Sequence, residues 1–175
     1  MRKNIAPFTV AVLLGVGMLL QTGCKKGAEP GTATNPKAEI FNIEYAIEQA
    51  DAADSRQTRI AMLRGAYDAA GSLNERWPGD PAVASFLSES AEELGRIPET
   101  VYALSIEVND LEAFQWALRQ SADVKTDDRS LLKYWDLGPR WRDFIVAEYP
   151  EQALPIYMEK AVAQRDVPFF DAHIE

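Results

Sequence analysis

Few side chains in this 175-residue chain have types and spacings that could do chemistry. His173 is the only histidine, and it lies at an apolar position of a predicted C-terminal helix, which indicates a packing residue rather than a catalytic base. Asp123, Asp127 and Asp128 could suggest a calcium loop, but the alternating acids and the later glutamate of such a loop are missing. We therefore predict no enzymatic activity, no cofactor and no bound metal.

A short serine and lysine motif is the remaining catalytic candidate. Ser130 and Lys133 form a Ser-x-x-Lys tetrapeptide, which resembles a motif of penicillin-binding enzymes. Two fixed positions match easily by chance, and the partner motifs of that family are absent. A peptidoglycan hydrolase is therefore the least favoured hypothesis for the function.

Residues 133–142 hold the most distinctive candidates for binding. Aromatic and basic side chains alternate there in an otherwise acidic chain, and such side chains are typical of hot spots at protein interfaces. The alternative is that Trp135 and Trp141 pack in the core while the basic residues are solvated. We predict a partner-binding surface that includes Tyr134, Trp135, Arg140, Trp141 and Arg142.

Charge and cysteine content restrict the partners. The formal net charge is −9, whereas nucleic-acid binding needs clustered lysine and arginine, so we predict no nucleic-acid partner. Cys24 is the only cysteine, which excludes an intramolecular disulfide.

The N-terminus has the pattern of an export signal. Arg2 and Lys3 precede an apolar run over residues 5–20, which is short for a membrane span. Leu20-Gln21-Thr22-Gly23-Cys24 then resembles the lipobox of bacterial lipoproteins, although Gln21 stands where leucine is usual. The resemblance implies cleavage before Cys24 and a lipid on its thiol. An uncleaved signal anchor is the alternative.

The organisation that follows is a signal peptide over residues 1–23 and a lipidated cysteine with a flexible tether over 24–37. The tether is rich in small residues and proline, without apolar periodicity. The absence of aspartate after the cysteine resembles outer-membrane sorting. We predict a lipid-anchored protein of the bacterial cell envelope that faces the periplasm.

The rest of the chain, residues 38–175, is predicted to be all-α. Apolar stripes with helical spacing predict helices over 38–53, 54–76 and 81–94. Asp54 and Gln57 are predicted to cap the second helix, Asp80 and Pro81 to begin the third, and Gly95 to end it. Residues 74–94 weakly resemble the inter-helix turn of tetratricopeptide hairpins, so residues 38–98 are predicted to be a helical-hairpin region.

Residues 99–175 have a repeated pattern. Two short apolar stripes flank Asn109 and Asp110, a pair suited to a tight turn, and residues 100–124 resemble an ankyrin repeat. Thr100 stands where the first helix of that repeat begins. Degenerate copies open at Ser130 and Ile156, with turns at Pro139 and Arg165. Turn spacings of 30 and 26 residues are shorter than the usual ankyrin period, so a generic stack of helical hairpins is the alternative.

These patterns predict stacked, ankyrin-like or α-solenoid-like hairpins, which typically bind proteins through an extended concave face. Ankyrin-like proteins also bind through their exposed fingers. The resemblance therefore implies that the finger residues Asp123, Lys125, Asp127 and Asp128 belong to the partner-binding surface. The favoured function is a non-enzymatic adaptor or assembly factor at the envelope. The main alternative is an immunity lipoprotein that neutralises a toxin delivered to the periplasm, because an acidic protein would attract a basic toxin.

Overall fold

The computed structural model describes residues 35–120 and 122–174, and this part of the chain is all-helical without strands. The predicted all-α class is therefore confirmed. None of the described helices is both long enough and apolar enough to cross a lipid bilayer. The helices are α1 Pro36–Asp51, α2 Arg56–Arg76, α3 Pro81–Glu89, α4 Ala91–Val108, α5 Leu111–Arg119, α6 Asp128–Asp136, α7 Pro139–Glu148, α8 Pro150–Gln164 and α9 Val167–Ala172.

Side-chain caps determine where many helices begin. Asp80 accepts hydrogen bonds from the backbone N–H groups of Ala82 and Val83 at 2.8 and 3.2 Å, and Pro81 opens α3, both as predicted. Ser55 rather than Asp54 caps α2, because its hydroxyl accepts from the N–H of Thr58 at 3.1 Å.

The first helix begins before the predicted boundary of the tether. Asn35 caps α1 by accepting from the N–H of Lys37 at 2.9 Å, so Pro36 and Lys37 belong to the helix. The start of the helical region is thus two residues earlier than the prediction of residue 38.

The predicted stop at Gly95 and the predicted start at Thr100 are both wrong. The helix is interrupted at Ser90 instead, between the end of α3 and the start of α4. Helix α4 then continues without interruption through Gly95 and Thr100. Ile97, Val101 and Leu104 lie on one buried face of this helix, at a spacing of three to four residues. Their burial outweighs the roughly 1 kcal/mol that glycine costs inside a helix. Pro98, also inside α4, is buried as well.

Two turns have the same backbone geometry. Asn109 and Arg165 both adopt the left-handed conformation, with φ of 57°, and the next residue is an aspartate that caps the following helix. The N–H of Asp110 bonds to the carbonyl of Ser105 at 2.8 Å, and Asp166 repeats this bond to Ala161 at 2.9 Å. This is the Schellman pattern of helix ends, so the predicted turns at Asn109 and Arg165 are confirmed.

The weaker repeat boundaries need correction. Asp127 caps α6, so this helix opens before Ser130. Pro139 is the first residue of α7, and the turn before it lies at Gly138, whose φ is 114°. Ile156 lies in the middle of α8 rather than at a helix start. The hairpins therefore differ in length, and their ankyrin-like character stays a prediction.

The helices form two blocks that share one core. In the first block, α1 packs on α2, α2 packs on α4, and α4 packs on α5, while α3 contacts α1, α2 and α4. In the second block, α6, α7 and α8 pack on one another and α9 packs on α8. The buried apolar side chains of both blocks form a single cluster.

An aromatic junction joins the blocks. Phe114 of α5 lies with its ring centroid 4.7 Å from that of Trp141 and 5.7 Å from that of Tyr134. The rings of Tyr102 and Phe144 also pack on Phe114. We call these five residues the aromatic junction. Two polar links accompany it, since the hydroxyls of Tyr102 and Tyr134 bond to each other and Trp141 Nε1 donates to Asn109 Oδ1 at 2.6 Å.

Candidate binding groove

Four of the predicted contact residues are exposed where the chain enters α6. Asp123, Lys125, Asp127 and Asp128 all lie there. Asp127 also has a local structural role, because its carboxylate accepts from the N–H of Ser130 at 3.1 Å and from its hydroxyl at 2.7 Å. These bonds lower the pKa of Asp127 below its ordinary value of 3.8, with the hydroxyl bond the largest cause. The role of these four residues in binding stays a prediction.

The aromatic part of the predicted surface requires correction. Tyr134, Trp135 and Trp141 are each at most 2% exposed, and they belong to the core. Tyr134 and Trp141 pack around Phe114, and Trp135 packs edge-on against Tyr157 at 5.2 Å between ring centroids. A partner cannot reach these rings in the folded protein, so the alternative of core packing is the right one for them.

The two arginines of the predicted surface have different environments. Arg140 is exposed at the start of α7. The Arg142 guanidinium lies 3.8 Å from the ring centroid of Trp135 and pairs with Asp166 through Nη1 and Oδ2 at 2.5 Å. Arg142 therefore ties α7 to α6 and to the turn before α9, and little of it is open to a partner.

The catalytic candidates are held in structural contacts. The Ser130 hydroxyl donates to Asp127, and Lys133 is exposed on the same helix. His173 is half-buried, with its ring stacked on Phe169 at 4.3 Å and Nδ1 2.8 Å from the Phe169 carbonyl. The packing role predicted for His173 matches this position. Among the described residues, no three His, Cys, Asp or Glu side chains are grouped as a metal ion would require.

A groove lies in the first block, on a part of the surface that the sequence did not indicate. It runs along α4 and is bordered by the end of α1, the start of α2 and the junction of α3 with α4. Its two halves have volumes of about 390 and 810 Å³. Both halves are lined by Asp51 and Arg59, so they adjoin at this pair.

The floor of the groove is aliphatic and mostly buried. These side chains come from three different helices, so the packing of α1, α2 and α4 creates the floor. The floor residues are Ile47, Leu63 and Ile97 in one half and Leu104 and Val108 in the other.

The rim of the groove is charged, with more acids than bases. The acidic residues are Asp51, Asp54, Glu89, Glu92, Glu93 and Glu107, and the basic residues are Arg56, Arg59 and Arg96. Each arginine is paired: Arg56 with Glu107 at 2.6 Å, Arg59 with Asp51 at 2.6 Å, and Arg96 with Glu92. Within the described part of the chain, Asp54, Glu89 and Glu93 form no ion pair.

The Arg59 side chain stands at the boundary between the two halves. One of its terminal nitrogens bonds to Asp51, while the buried Nε has no acceptor among the described residues. Its guanidinium therefore keeps unused donor capacity beside the groove.

Sequence reasoning missed this groove because its residues are far apart along the chain. Asp51 and Glu107 come together only through the packing of α1 and α2 against α4. The sequence did show a concentration of acids at two helix breaks, Asp51 with Asp54 and Glu89 with Glu92 and Glu93, but it did not show that packing brings them together.

The remaining sequence prediction concerns the lipid. Cys24 lies outside the described residues, so its lipidation stays a prediction. Comparisons of the chain with protein-family models, with curated proteins and with solved structures found no match.

Proposed function

We propose that this chain is a non-enzymatic protein-binding module of the bacterial cell envelope, held at the outer membrane by a lipid on Cys24. In this proposal it acts as an adaptor or assembly factor, and its ankyrin-like or α-solenoid-like hairpins hold the binding groove in shape. The proposal extends the sequence prediction but moves the main contact surface from residues 123–142 to the groove of the first block.

The groove is the observation that carries this proposal. Its rim has three carboxylates without an ionic partner inside the described structure, whereas its aliphatic floor is itself packed in the core. Uncompensated charge of one sign on a protein surface attracts a partner of the opposite sign and orients it. The groove is open to solvent, which suits a segment of a protein better than a small molecule that must be enclosed.

An immunity lipoprotein is the alternative that the charge favours. A net charge of −9 and an acidic groove would attract a basic toxin and speed its capture. The hydrolase hypothesis gains no such support, because the Ser130 hydroxyl is engaged with Asp127.

The test is co-purification of the complete lipidated chain, expressed in its bacterial host and extracted from membranes in mild detergent. The wild type is compared with Glu89→Lys/Glu93→Lys, which reverses two rim charges, and with Glu75→Lys/Glu148→Lys, which reverses two exposed charges outside the groove lining. We expect one stoichiometric partner that the rim variant loses and the control variant retains. The identity of that partner, an envelope component or a toxin, separates adaptor from immunity protein. Absence of any stoichiometric partner would contradict the proposal.

The anchor is tested separately with Cys24→Ser. The substitution removes the thiol that would carry the lipid. We therefore expect the protein either to move from the membrane pellet to the soluble fraction or to accumulate as the uncleaved precursor. Metabolic labelling with a clickable fatty acid should mark the wild type and not the variant. Equal labelling of both would contradict lipidation at Cys24.

A further inference from the structure

We propose that the exposed apolar face of the hairpin α8–α9 pairs with the same face of a second copy of this chain, about a two-fold axis. Four side chains form this face, which we call the terminal patch: Val162, Val167, Phe170 and Ile174. The terminal patch shares no residue with the groove, so the pairing is a further interaction beside the proposed function.

The hairpins α4–α5 and α8–α9 are equivalent around their turns. Asn109 and Arg165 have the same left-handed backbone, and the aspartate after each accepts a hydrogen bond from the backbone N–H three residues further on. Counting from these two residues, each side chain of the terminal patch has one counterpart in α4–α5. The counterparts of Val162, Val167, Phe170 and Ile174 are, in this order, Ile106, Leu111, Phe114 and Leu118.

The counterparts are covered, whereas the terminal patch is open. In α4–α5 all four counterparts belong to the core or pack against it, and Phe114 is fully buried under rings of α6 and α7. In the terminal patch the aliphatic side chains are more than half exposed, Val162 at 63%, Val167 at 59% and Ile174 at 51%. Phe170 is partly buried but contacts no other ring of the described structure. The described helices thus leave open the face that is covered on α4–α5.

The covered hairpin shows which kind of surface fits this face. Phe114 packs against aromatic rings from two helices, α6 and α7. A second copy of α8–α9 offers a similar surface, because Phe170 lies there beside aliphatic side chains on a pair of helices. Val167, Phe170 and Ile174 follow one another at spacings of three and four residues, which places them on one side of the chain. Two identical faces of this kind can pack on each other about a two-fold axis, the commonest symmetry of protein dimers.

The charges beside the terminal patch are complementary to themselves. Arg165 precedes α9 and Asp171 lies near its end, both are exposed, and neither forms an ion pair with a described residue. If two copies of α9 pack antiparallel with Val167 and Phe170 at the centre, Arg165 of each copy lies beside Asp171 of the other. A parallel arrangement would instead place like charges together. The charges therefore favour a second copy in the antiparallel orientation that a two-fold axis produces.

The pairing should be weak and reversible. The terminal patch has four side chains, whereas a standard interface contributes roughly 20–30 residues from each partner. Each chain also has a net charge of −9, and the repulsion between two such chains is screened beyond about 8 Å at physiological salt. We therefore expect a dissociation constant on the order of micromolar at about 150 mM NaCl.

The mass of the complete lipidated chain in solution tests the pairing. Sedimentation equilibrium in a density-matched mild detergent measures this mass between about 1 and 100 μM protein at about 150 mM NaCl. We expect the mass to rise with concentration from that of one chain to that of two, without larger species, because a two-fold contact closes on itself. The mass of one chain at every concentration, or a series of larger assemblies, would overturn the proposal.

Substitutions in the terminal patch locate the contact. Val162→Asp/Val167→Asp places unpaired charge in the contact, so it should weaken the pairing about tenfold or more. Phe41→Asp/Tyr45→Asp is the matched control, since it adds the same charge at two exposed apolar positions of α1 and should change the dissociation constant less than twofold. Circular dichroism should show unchanged helix content in both variants, because all four positions are exposed. Equal weakening by both variants would overturn the terminal patch as the contact.

Exchange of the two charges tests the antiparallel arrangement. Arg165→Asp and Asp171→Arg each bring like charges together, so each should weaken the pairing about threefold or more. The first makes the chain more acidic and the second less acidic, so weakening by both excludes general repulsion as the cause. Arg165→Asp/Asp171→Arg keeps the net charge of −9 and should restore the wild-type affinity within twofold. Failure of the double variant to recover would overturn the antiparallel arrangement.

Another occupant of the terminal patch would give a different set of results. If the chain stays monomeric and Val162→Asp/Val167→Asp loses a protein in the co-purification, that protein occupies the patch and the self-pairing is overturned. The rim variant Glu89→Lys/Glu93→Lys tests the groove instead, and it should pair like the wild type. The self-pairing and the proposed function can therefore fail independently.

Discussion

At the scale of single residues, Asn109 connects a backbone requirement with a side-chain contact. It adopts the left-handed conformation that ends α4, accepts from Trp141 Nε1, and donates from Nδ2 to the Leu137 carbonyl at 3.3 Å. Asparagine is one of the few non-glycine residues that tolerate this conformation, and its amide reaches the second block. The same residue thus ends a helix and links two blocks.

Substitution of Asn109 separates these two roles. Asn109→Gly keeps the turn but leaves the buried Trp141 N–H without its acceptor, so we expect a loss of about 1–3 kcal/mol in the free energy of unfolding. Asn109→Ala removes the same acceptor and also places alanine in the left-handed conformation, which costs about 1–2 kcal/mol more. Urea denaturation followed by circular dichroism measures both.

Arg165 is the matched control, with the same φ of 57° and an exposed side chain. Arg165→Gly relieves the left-handed strain and increases the entropy of the unfolded chain, so it should be neutral or stabilising by up to about 1 kcal/mol. Equal losses in Asn109→Gly and Arg165→Gly would show that the contact with Trp141 contributes nothing.

Buried tyrosines make the stability sensitive to alkali. Burial raises the pKa of Tyr134 and of Tyr157 far above the ordinary value of 10, and the bond with the Tyr102 hydroxyl raises that of Tyr134 further. Burial also raises the pKa of Tyr149. The unfolded chain loses these protons near pH 10 while the folded protein keeps them. Stability is therefore fully present below about pH 10 and is lost as the pH rises above it.

Tyr157→Phe tests this pH dependence cleanly. The buried Tyr157 hydroxyl has no hydrogen-bond partner within the described structure, so its removal should cost little at pH 8. Above pH 10 the free energy of unfolding should fall less steeply with pH in the variant than in the wild type. The two slopes should differ by about 1.4 kcal/mol per pH unit. Urea denaturation between pH 8 and 11 measures the slopes.

At the scale of helices, α4 forms despite two residues that disfavour helix. Gly95 and Pro98 lie inside it, and a methyl group at Gly95 would meet no atom within 4 Å. The helix persists because it packs on α2 and α5 and buries one face from Ile97 to Ile106.

Gly95→Ala should therefore stabilise the protein by about 0.5–1 kcal/mol, because alanine loses less backbone entropy in a helix and fits without contact strain. Thermal and urea denaturation measure the gain. Gly138→Ala is the opposing control, since φ of 114° and ψ of 178° are accessible to glycine almost alone, and it should destabilise by about 1–3 kcal/mol. Destabilisation by Gly95→Ala would show that the helix requires flexibility at this position.

Helix starts and turns were the part of the fold that the sequence predicted best. Asp80 with Pro81, and Asn109 with Asp110, act through bonds to their immediate neighbours, so local sequence contains the information. Gly95 and Thr100 were misread because tertiary burial of α4 overrides their local preferences. The sequence did not decide whether Trp135 and Trp141 are buried, because tryptophan is typical both of binding hot spots and of protein cores.

At the scale of the whole molecule, the two blocks are joined mainly by side chains. Each helix has its extensive backbone contacts within its own block, whereas the aromatic junction and the bond from Trp141 to Asn109 cross between blocks. The groove lies entirely in the first block, and the exposed acids from Asp123 to Asp128 lie at the start of the second. The groove could not be predicted from the sequence because tertiary packing alone assembles it.

This arrangement predicts that Phe114 controls the cooperativity of unfolding. The wild type should unfold both blocks at one urea concentration, because the fully buried Phe114 ring contacts four other rings of the junction. Phe114→Ala should cost about 3–5 kcal/mol and let the blocks unfold at distinct urea concentrations, as followed by pulsed hydrogen exchange with mass spectrometry. Phe86→Ala, which truncates a buried ring of α3 away from the junction, should lower the midpoint but keep a single transition. A single transition in both variants would mean that the continuous apolar core, rather than the aromatic junction, couples the two blocks.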